Sequence, residues 1–535
     1  VSSARRKRQA PRAQRPVPTT EAPRRRLSLV SHRAASLSDP DLKSWLPGNG
    51  SADADLNPEL GALQSRSRDL ARNHGVASGA LQTYVDNIVG SGLRLSAMPD
   101  WRLLGMTREA AQEWGNETEA HFRAWAESTA CDAADSLTFG DMTGLVLRSA
   151  LYNGDSVALP QWLPRPGCDY ATRIQVIESD RLCNPNYQAD SAHLRGGIAV
   201  DDYGAPQDYW IRTAHPGDIA SWGTAGTWVK VPARTPWGRK RVIHLLAVER
   251  PGQTRGKPLL SAVMKSFKVL GDYQQAEVKA AVVNAFVALV AETQLGAEGA
   301  LSMLGGDAEL YRTWKGRQDE AGPLNLQGYG NVAALEPGES LKAFSPARPN
   351  QAFGPFVESV FRHIAAGLNL PYELLLKDFS KTNYSSARAA MLEAFRFFKG
   401  RRKWLSTYWC QPIYELWLEE AISNGTIKAP NFYAKRAAWS RARWIGPGRG
   451  WVDPVKEAQG AQIRLATNLT TLEYEAAEQG EDWEELLAQR AREFERMREL
   501  GISETYVGAR STATAPDTGS TGDQQDGSNG EGTSE

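Results

Sequence analysis

From Leu259 onward, Leu259, Val263, Phe267, Leu270 and Tyr273 open an apolar series that recurs at helical spacing and continues to Val290. A helix of about 35 residues would be about 50 Å long at 1.5 Å per residue, which is long for a compact domain. The longest apolar stretch, residues 280–291, falls well short of the roughly 20 residues that cross a bilayer, so no membrane span is expected. A second apolar helix is expected from Pro355 through Val360, Phe361, Ile364 and Leu368. Gly316, Gly322, Gly328 and Gly330 punctuate the interval between the two.

A chain of 535 residues exceeds what one hydrophobic core usually organises, so two or more packed subregions are expected. Basic and acidic residues number 62 each, which excludes an overall nucleic-acid field and leaves the electrostatics to local placement. Arg5-Arg6-Lys7-Arg8 and Arg24-Arg25-Arg26 dominate a proline-containing start that is expected to be a disordered basic arm, able to contact phosphate or simply solvated. It lacks the apolar core of a secretory signal. Residues 509–535, rich in Ser, Thr, Gly and Asp, are expected to form a disordered acidic tail. Between these ends, residues 60–88 and 99–130 read as helical, the latter with Trp114, Phe122 and Trp125 at helix-compatible spacing. Residues 156–159, 174–177, 197–200 and 209–212 are short apolar runs separated by turn residues and read as strands. The fold class is therefore α+β. Cys131, Cys168, Cys183 and Cys410 lack the close spacing of a zinc or redox motif and read as plain thiols in a reducing cytoplasm.

Nothing in the chain reads as a catalytic centre. Gly252-Gln253-Thr254-Arg255-Gly256-Lys257-Pro258 stands before a helix as a phosphate-binding loop would, but it has three residues between its glycines instead of four and Pro258 where a hydroxyl should hold magnesium. Pro258 instead suits a first helical turn. Gly90-Ser91-Gly92 begins like a dinucleotide fingerprint, but Leu95 replaces the third glycine, and the segment reads as a turn. The seven histidines show no metal-binding pair, and Asp201-Asp202 sits in what reads as a strand-connecting turn. No cofactor and no metal are expected.

Residues 385–418 carry a large aromatic load, including Phe395, Phe398, Trp404, Trp409, Tyr414 and Trp417, on a helix whose polar side is basic. Arg388, Arg396, Lys399, Arg401, Arg402 and Lys403 are candidates for DNA contact, for pairing with acids of an adjacent subunit, or for plain solvation. Asn383 or Ser385 is the expected helix cap. Further on, Asp453-Pro454 has the form of a cap followed by proline, Thr470 and Asp482 each stand three residues before a Glu, and Gly501 should end the last helix.

Lys381-Thr382-Asn383-Tyr384-Ser385-Ser386-Ala387-Arg388, followed by Trp439, Pro447 and Val452-Asp453-Pro454-Val455-Lys456-Glu457, resembles the lambda-type portal proteins of tailed bacteriophages. The likeness extends upstream, in order, through Arg66-Ser67-Arg68-Asp69-Leu70-Ala71-Arg72-Asn73, Asp86-Asn87-Ile88-Val89-Gly90-Ser91-Gly92-Leu93, Val176-Ile177-Glu178-Ser179-Asp180-Arg181-Leu182 and Arg250-Pro251-Gly252-Gln253-Thr254-Arg255-Gly256. The resemblance implies a ring at one capsid vertex, a dodecamer by analogy with the family, through which double-stranded DNA is packaged and ejected. It implies an α+β ring subunit with this division: basic arm 1–45, wing 46–257, first stem helix 258–293, clip 294–352, second stem helix 353–370, tunnel loop with long helix and remaining wing 371–450, helical crown 451–508, and acidic tail 509–535. Implied partners are other copies of the chain, double-stranded DNA, the terminase large subunit, major capsid and scaffold proteins, and neck or adaptor proteins, in the virion and, during assembly, the host cytoplasm. The tunnel loop falls on residues 377–384, which nominates Lys377, Lys381, Asn383 and Arg388 as channel residues, with Arg396, Lys399, Arg401, Arg402 and Lys403 as a secondary basic face. Two other readings stay open at this point: a nucleic-acid-processing enzyme or ATPase of the packaging machinery, and a neck or adaptor ring protein.

Overall fold

A computed structural model describes residues 33–218, 226–286, 290–291, 333–334, 353–448, 450 and 453–502. The chain divides into two units, residues 1–51 and 52–535. In the first, a 3-10 turn at Arg33–Ala35 leads into turns in which the Asp39 carboxylate accepts from the Asp41 N–H at 2.9 Å. The basic arm expected over residues 1–45 lies largely outside the described residues, and so do most of the interval 294–352 and the tail 509–535.

After a short helical turn at Ala52–Leu56, the second unit has helices α1 (Leu60–Asn73) and α2 (Gly75–Ile88), split at His74, whose extended backbone interrupts the single helix read from sequence. Strand β1 (Arg94–Ala97) leads through a short turn closed by left-handed Gly105 to helices α3 (Arg108–Ala126) and α4 (Phe139–Asn153). Thr138 and Asp141 close a capping box at the start of α4. Strands β2 (Asp155–Trp162) and β3 (Thr172–Ile177) follow, then β4 (Leu194–Arg195), β5 (Ile198–Val200), β6 (Pro206–Arg212), β7 (Trp228–Pro232) and β8 (Ile243–Leu246). They form two antiparallel sheets, one in the order β3-β2-β8 and one in the order β4-β5-β6-β7. The four runs read from sequence all fall on strands, and Asp201 accepts from the N–H groups of Tyr203 and Ala205 to make the expected turn between β5 and β6.

The rod expected from residue 258 is shorter than its periodicity implied. Pro258 precedes a 3-10 turn at Leu259–Ala262, and helix α5 spans Met264–Phe286, 23 residues or about 34 Å. Val290–Ala291 (β9) pairs in parallel with Ala333–Ala334 (β10) instead of continuing the helix. Val290, at the start of β9, is β-branched and suits a strand. Helix α6 (Phe353–Gly367) runs antiparallel beside α5: Tyr273 meets Phe353 and Phe356 at 5.5 and 5.4 Å between ring centres, while Gly367 lies against Val263 at the other end.

Helix α7 (Tyr384–Leu405) runs through a π turn at Ser406–Cys410 into α8 (Gln411–Ser423). Ser406 and Thr407 donate their hydroxyls back to the Lys403 carbonyl at 3.0 and 2.8 Å, a bonding pattern that loosens the helical ladder where the extra residue is accommodated. Beyond the π turn, Ile413, Tyr414, Trp417 and Leu418 are wholly buried. Phe122 of α3 sits among them, with the Trp417 ring 5.2 Å and the Tyr414 ring 5.7 Å away, and Trp409 donates its indole N–H to Thr143 of α4 at 3.0 Å. Each such large side chain contributes roughly 1.5–3 kcal/mol on burial. This core joins α1 to α4, the β2-β3-β8 sheet, the base of α5, α6 and α7–α8; a smaller cluster around Val157, Ile198 and Tyr209 seals the two sheets together.

Strand β11 (Ala442–Ile445) pairs with β1, and helices α9 (Pro454–Ala466), α10 (Leu472–Glu478) and α11 (Trp483–Glu499) complete the chain. Asp453 and Asp482 cap as the sequence suggests, and left-handed Gly501 follows α11; the cap of α10 is Thr471, one residue later than Thr470, and accepts from the Tyr474 N–H at 3.2 Å. Neither α9 nor α11 has a buried residue. Charged contacts hold these helices to the rest: Arg443 to Glu473 at 2.6 Å, and Glu485 between Arg94 and Arg123.

Glu119 lies beneath the start of α11, accepting from the Ala97 N–H at 2.6 Å. Burial, opposed by that N–H and reinforced by Asp482, Glu484 and Glu485, pushes it up to about 7 from an ordinary 4.5. Because the folded state then binds this proton more tightly than the unfolded chain, the cost of Glu119 is absent below pH 4.5 and grows as the pH rises toward 7. Glu119→Gln, which keeps the acceptor and removes the charge, should therefore stabilise the protein by about 1–3 kcal/mol at pH 8 and have little effect at pH 4. Urea unfolding at the two pH values checks this; an equal effect at both would contradict it.

Candidate nucleic-acid interface

Of the four nominated channel residues, Lys377, Lys381 and Asn383 lie between α6 and α7, and Arg388 lies in the first turns of α7. The turn Tyr372–Leu376 ends at Lys377, an exposed residue whose φ of 57° is left-handed. The Asp378 carboxylate then accepts from the Ser380 N–H at 3.0 Å, tightening the loop. Asn383 is the helix cap: its side-chain oxygen accepts from the Ser386 N–H at 2.8 Å and the Ser386 hydroxyl at 2.6 Å. Lys381 is exposed, but its ammonium rests on Glu358 of α6 at 2.8 Å, where Arg362 also donates at 2.9 Å. These two cations, Lys381 first, hold the Glu358 carboxyl below its ordinary range. Arg388, half-buried on α7, lines a small cleft with Phe395 and Phe398, and its charge reaches Asp453, the cap of α9.

The five downstream cations do not share one face. Arg396 and Arg401 line a cavity on the sheet side of α7, whereas Lys399, Arg402 and Lys403 line a cleft toward β11 and α10. At 3.6 residues per turn, positions 396 and 401 fall well away from 402, so a basic run in sequence becomes two sides in space. Arg402 differs most from a mobile phosphate contact. Its guanidinium donates to the carbonyls of Ile88, Asn87 and Pro447 at 3.1, 2.9 and 2.9 Å, pinning α7 to the end of α2 and to the segment after β11. Lys399 is held by Glu478 at 2.5 Å and by the Tyr474 hydroxyl at 2.9 Å. Arg401 stacks on Phe397 and Trp404, and Lys403 is exposed.

The glycine-rich segment before α5 has a structural use that its sequence concealed. Arg255, fully enclosed, donates to both oxygens of buried Asp155 at 2.6 and 3.3 Å, and to the carbonyls of Leu182, Gly196 and Ser179 at 2.6, 3.1 and 3.1 Å. His244 approaches the same carboxylate at 3.3 Å. Gly256 lies so close to Gly154 that a Cβ on either would overlap the backbone of the other. Lys257, the counterpart of a phosphate-loop lysine, pairs with Glu249 at 2.5 Å. Nearby, Arg68 donates to Asp180 at 3.1 Å and to Asn153 at 2.7 Å. Three of the sequence blocks, around Arg68, Asp180 and Arg255, thus meet in one lattice of hydrogen bonds that joins α1, the end of α4 and the sheets.

Among the described residues, Glu178, Asp180 and His215 bring three potential metal donors within 4.8 Å of one another. Arg68 already engages Asp180, and the Gly217 N–H donates to His215 Nδ1 at 3.0 Å. That assigns the ring proton to Nε2, 2.9 Å from Glu178, where a metal would need a lone pair. The arrangement reads as a cluster of charged side chains around His215.

Comparison with known proteins accounts for the shared blocks. Residues 38–402 match the family described as phage portal protein, lambda family. The chain is 33% identical over 478 residues to the portal protein of Escherichia phage N15, covering 86% of this chain and 89% of that one. It is likewise 33% identical over 477 residues to portal protein B of Escherichia phage lambda, covering 86% and 88%. Among solved structures, a chain from the neck of an empty gene transfer agent particle computed with C6 symmetry overlaps loosely, at a TM-score of 0.42 and 14% identity over 79% of this chain and 93% of that one. With the match to the family spanning most of its length, the chain belongs to the lambda family of phage portal proteins.

Proposed function

We propose that copies of this chain close into a ring of roughly twelve subunits at one vertex of a capsid, and that double-stranded DNA passes through the ring's axis during packaging and ejection. The observation that carries this reading is the relation to the portal proteins of phages N15 and lambda, at one-third identity over 86% of the chain. In that reading the body before α5 is the wing, α5 and α6 are the stem, residues 294–352 the clip, and α9 to α11 the crown. Two features support it. Val269, Val278 and Phe356 leave apolar surface exposed on the α5–α6 pair, and no residue of α9 or α11 is fully buried, as suits elements that complete their packing against neighbours. The ring acts without a reaction of its own, as a conduit and docking platform for the terminase large subunit, for capsid and scaffold proteins and for neck proteins, in the virion and in the host cytoplasm during assembly.

A sliding duplex requires contacts to phosphate that are interchangeable along its length, since each good base contact would cost roughly 1–3 kcal/mol to break. Lys377 and Lys381 meet that requirement as exposed cations repeated around the axis. Replacing both by Glu should leave assembly intact, because exposed pairs such as Lys381–Glu358 are worth about 0–1 kcal/mol, yet should lower packaged DNA by roughly tenfold or more. Glu358→Gln, which frees Lys381 without adding negative charge, should package normally. Nuclease-protected DNA per assembled particle is the readout; normal packaging by the double variant would remove these lysines from the channel.

A further inference from the structure

We propose that residues 503–535 of this chain dock in the cationic, aromatic-walled cavity between helix α7 and the neighbouring sheets. The cavity has a volume of about 1250 Å³. Arg234 and Lys240 enter it from the turn between β7 and β8, Arg396 and Arg401 from α7, and Phe397 and Trp404 form part of its wall. Among the described residues no aspartate or glutamate lines it. Burial first, and then the Arg234 and Arg436 guanidinium groups, hold the Lys240 amine below its ordinary value, with Glu415 opposing them. Like charges gathered in a partly enclosed cleft favour an anionic occupant, and the volume exceeds the roughly 300–1,000 Å³ usual for small-molecule pockets, so a length of chain suits it better.

The chain carries such a segment. Within residues 503–535, Glu504, Asp517, Asp523, Asp526, Glu531 and Glu535 stand against a single basic residue, Arg510, although the chain as a whole is neutral. The helices that precede it already rest on α7, because Lys399 pairs with Glu478 of α10 on the side opposite the cavity. From the end of α11, an extended chain of about 33 residues reaches up to roughly 110 Å, ample to round one helix in its own or an adjacent copy.

Zero-length carbodiimide coupling of the full chain, with the joined peptides identified by mass spectrometry, tests this directly. The expected product is an amide between Lys240 and one of Asp517, Asp523, Asp526 or Glu531. Arg396→Glu combined with Arg401→Glu should reduce it at least roughly fivefold while the Lys399–Glu478 product, from a pair 2.5 Å apart, persists and reports an intact body. Should that internal product also disappear, the unmodified chain in about 1 M salt supplies the measurement, and the Lys240 product should fall there as well. Coupling of these acids to other lysines but not to Lys240, or a Lys240 product indifferent to both treatments, would overturn the proposal.

Discussion

Asp155→Ala should destabilise the folded chain by about 3–5 kcal/mol, because it strands the buried guanidinium of Arg255 without its counter-charge. Asp155 has no exposed surface, and the Arg255 side chain keeps only 4% of its own. Burial alone would raise the Asp155 carboxyl, but Arg255 and His244 hold it well below the ordinary carboxylate range. A carboxyl depressed in this way contributes stability above its unfolded value that is lost as the pH falls through its folded one, so the penalty of the substitution should shrink in strong acid. Replacing both partners with apolar residues, Asp155→Leu with Arg255→Met, should recover much of the loss, since the carbonyls of Leu182, Gly196 and Ser179 are then left without a donor but no bare charge remains. Urea unfolding of the two variants beside the parent decides the matter; a cost below about 1 kcal/mol for Asp155→Ala would show that the pair is not what holds this junction.

Gly256→Ala should be as damaging or worse, at about 4 kcal/mol or more, with little soluble protein recovered. Gly154, at φ 95°, closes helix α4 in a conformation that side chains resist, and Gly256 packs directly on its backbone. A methyl group there meets main-chain atoms, which cannot rotate aside as a side chain would. Lys257→Ala, one residue on, should cost only about 0–1 kcal/mol, since its pairing with Glu249 is exposed. The contrast separates a packing junction from a phosphate-binding loop, in which the lysine would matter and the second glycine would face a ligand. Soluble yield and thermal midpoint measure it; a Gly256→Ala protein that melts with the parent would refute the packing account.

What could be read from the sequence was what neighbours along the chain determine. The strands at residues 156–159 and 209–212, the caps at Asp453 and Asp482 and the helical run of α7 and α8 all follow from local pattern and turn chemistry. The interruptions were harder. His74 splits α1 from α2 without a proline or glycine in the preceding turn, and the π turn at Ser406–Cys410 is marked only by two hydroxyl residues that are common elsewhere in helices. Long-range charge pairing was not legible at all: Asp155 and Arg255 are 100 residues apart, and Arg402 reaches carbonyls more than 300 residues before it. The basic run at 396–403 showed the charges but not their directions, which the surrounding sheets and α10 assign. Lys381 likewise looked like a free cation because Glu358, its partner, belongs to the preceding helix.

The ring itself is the claim on which the functional account stands. Electron microscopy of the purified full chain, combined with native mass measurement at low and moderate salt, tests it most directly. The account predicts closed cyclic particles of roughly twelve subunits with an open axis. A chain that stays monomeric or dimeric under every mild salt condition would contradict it.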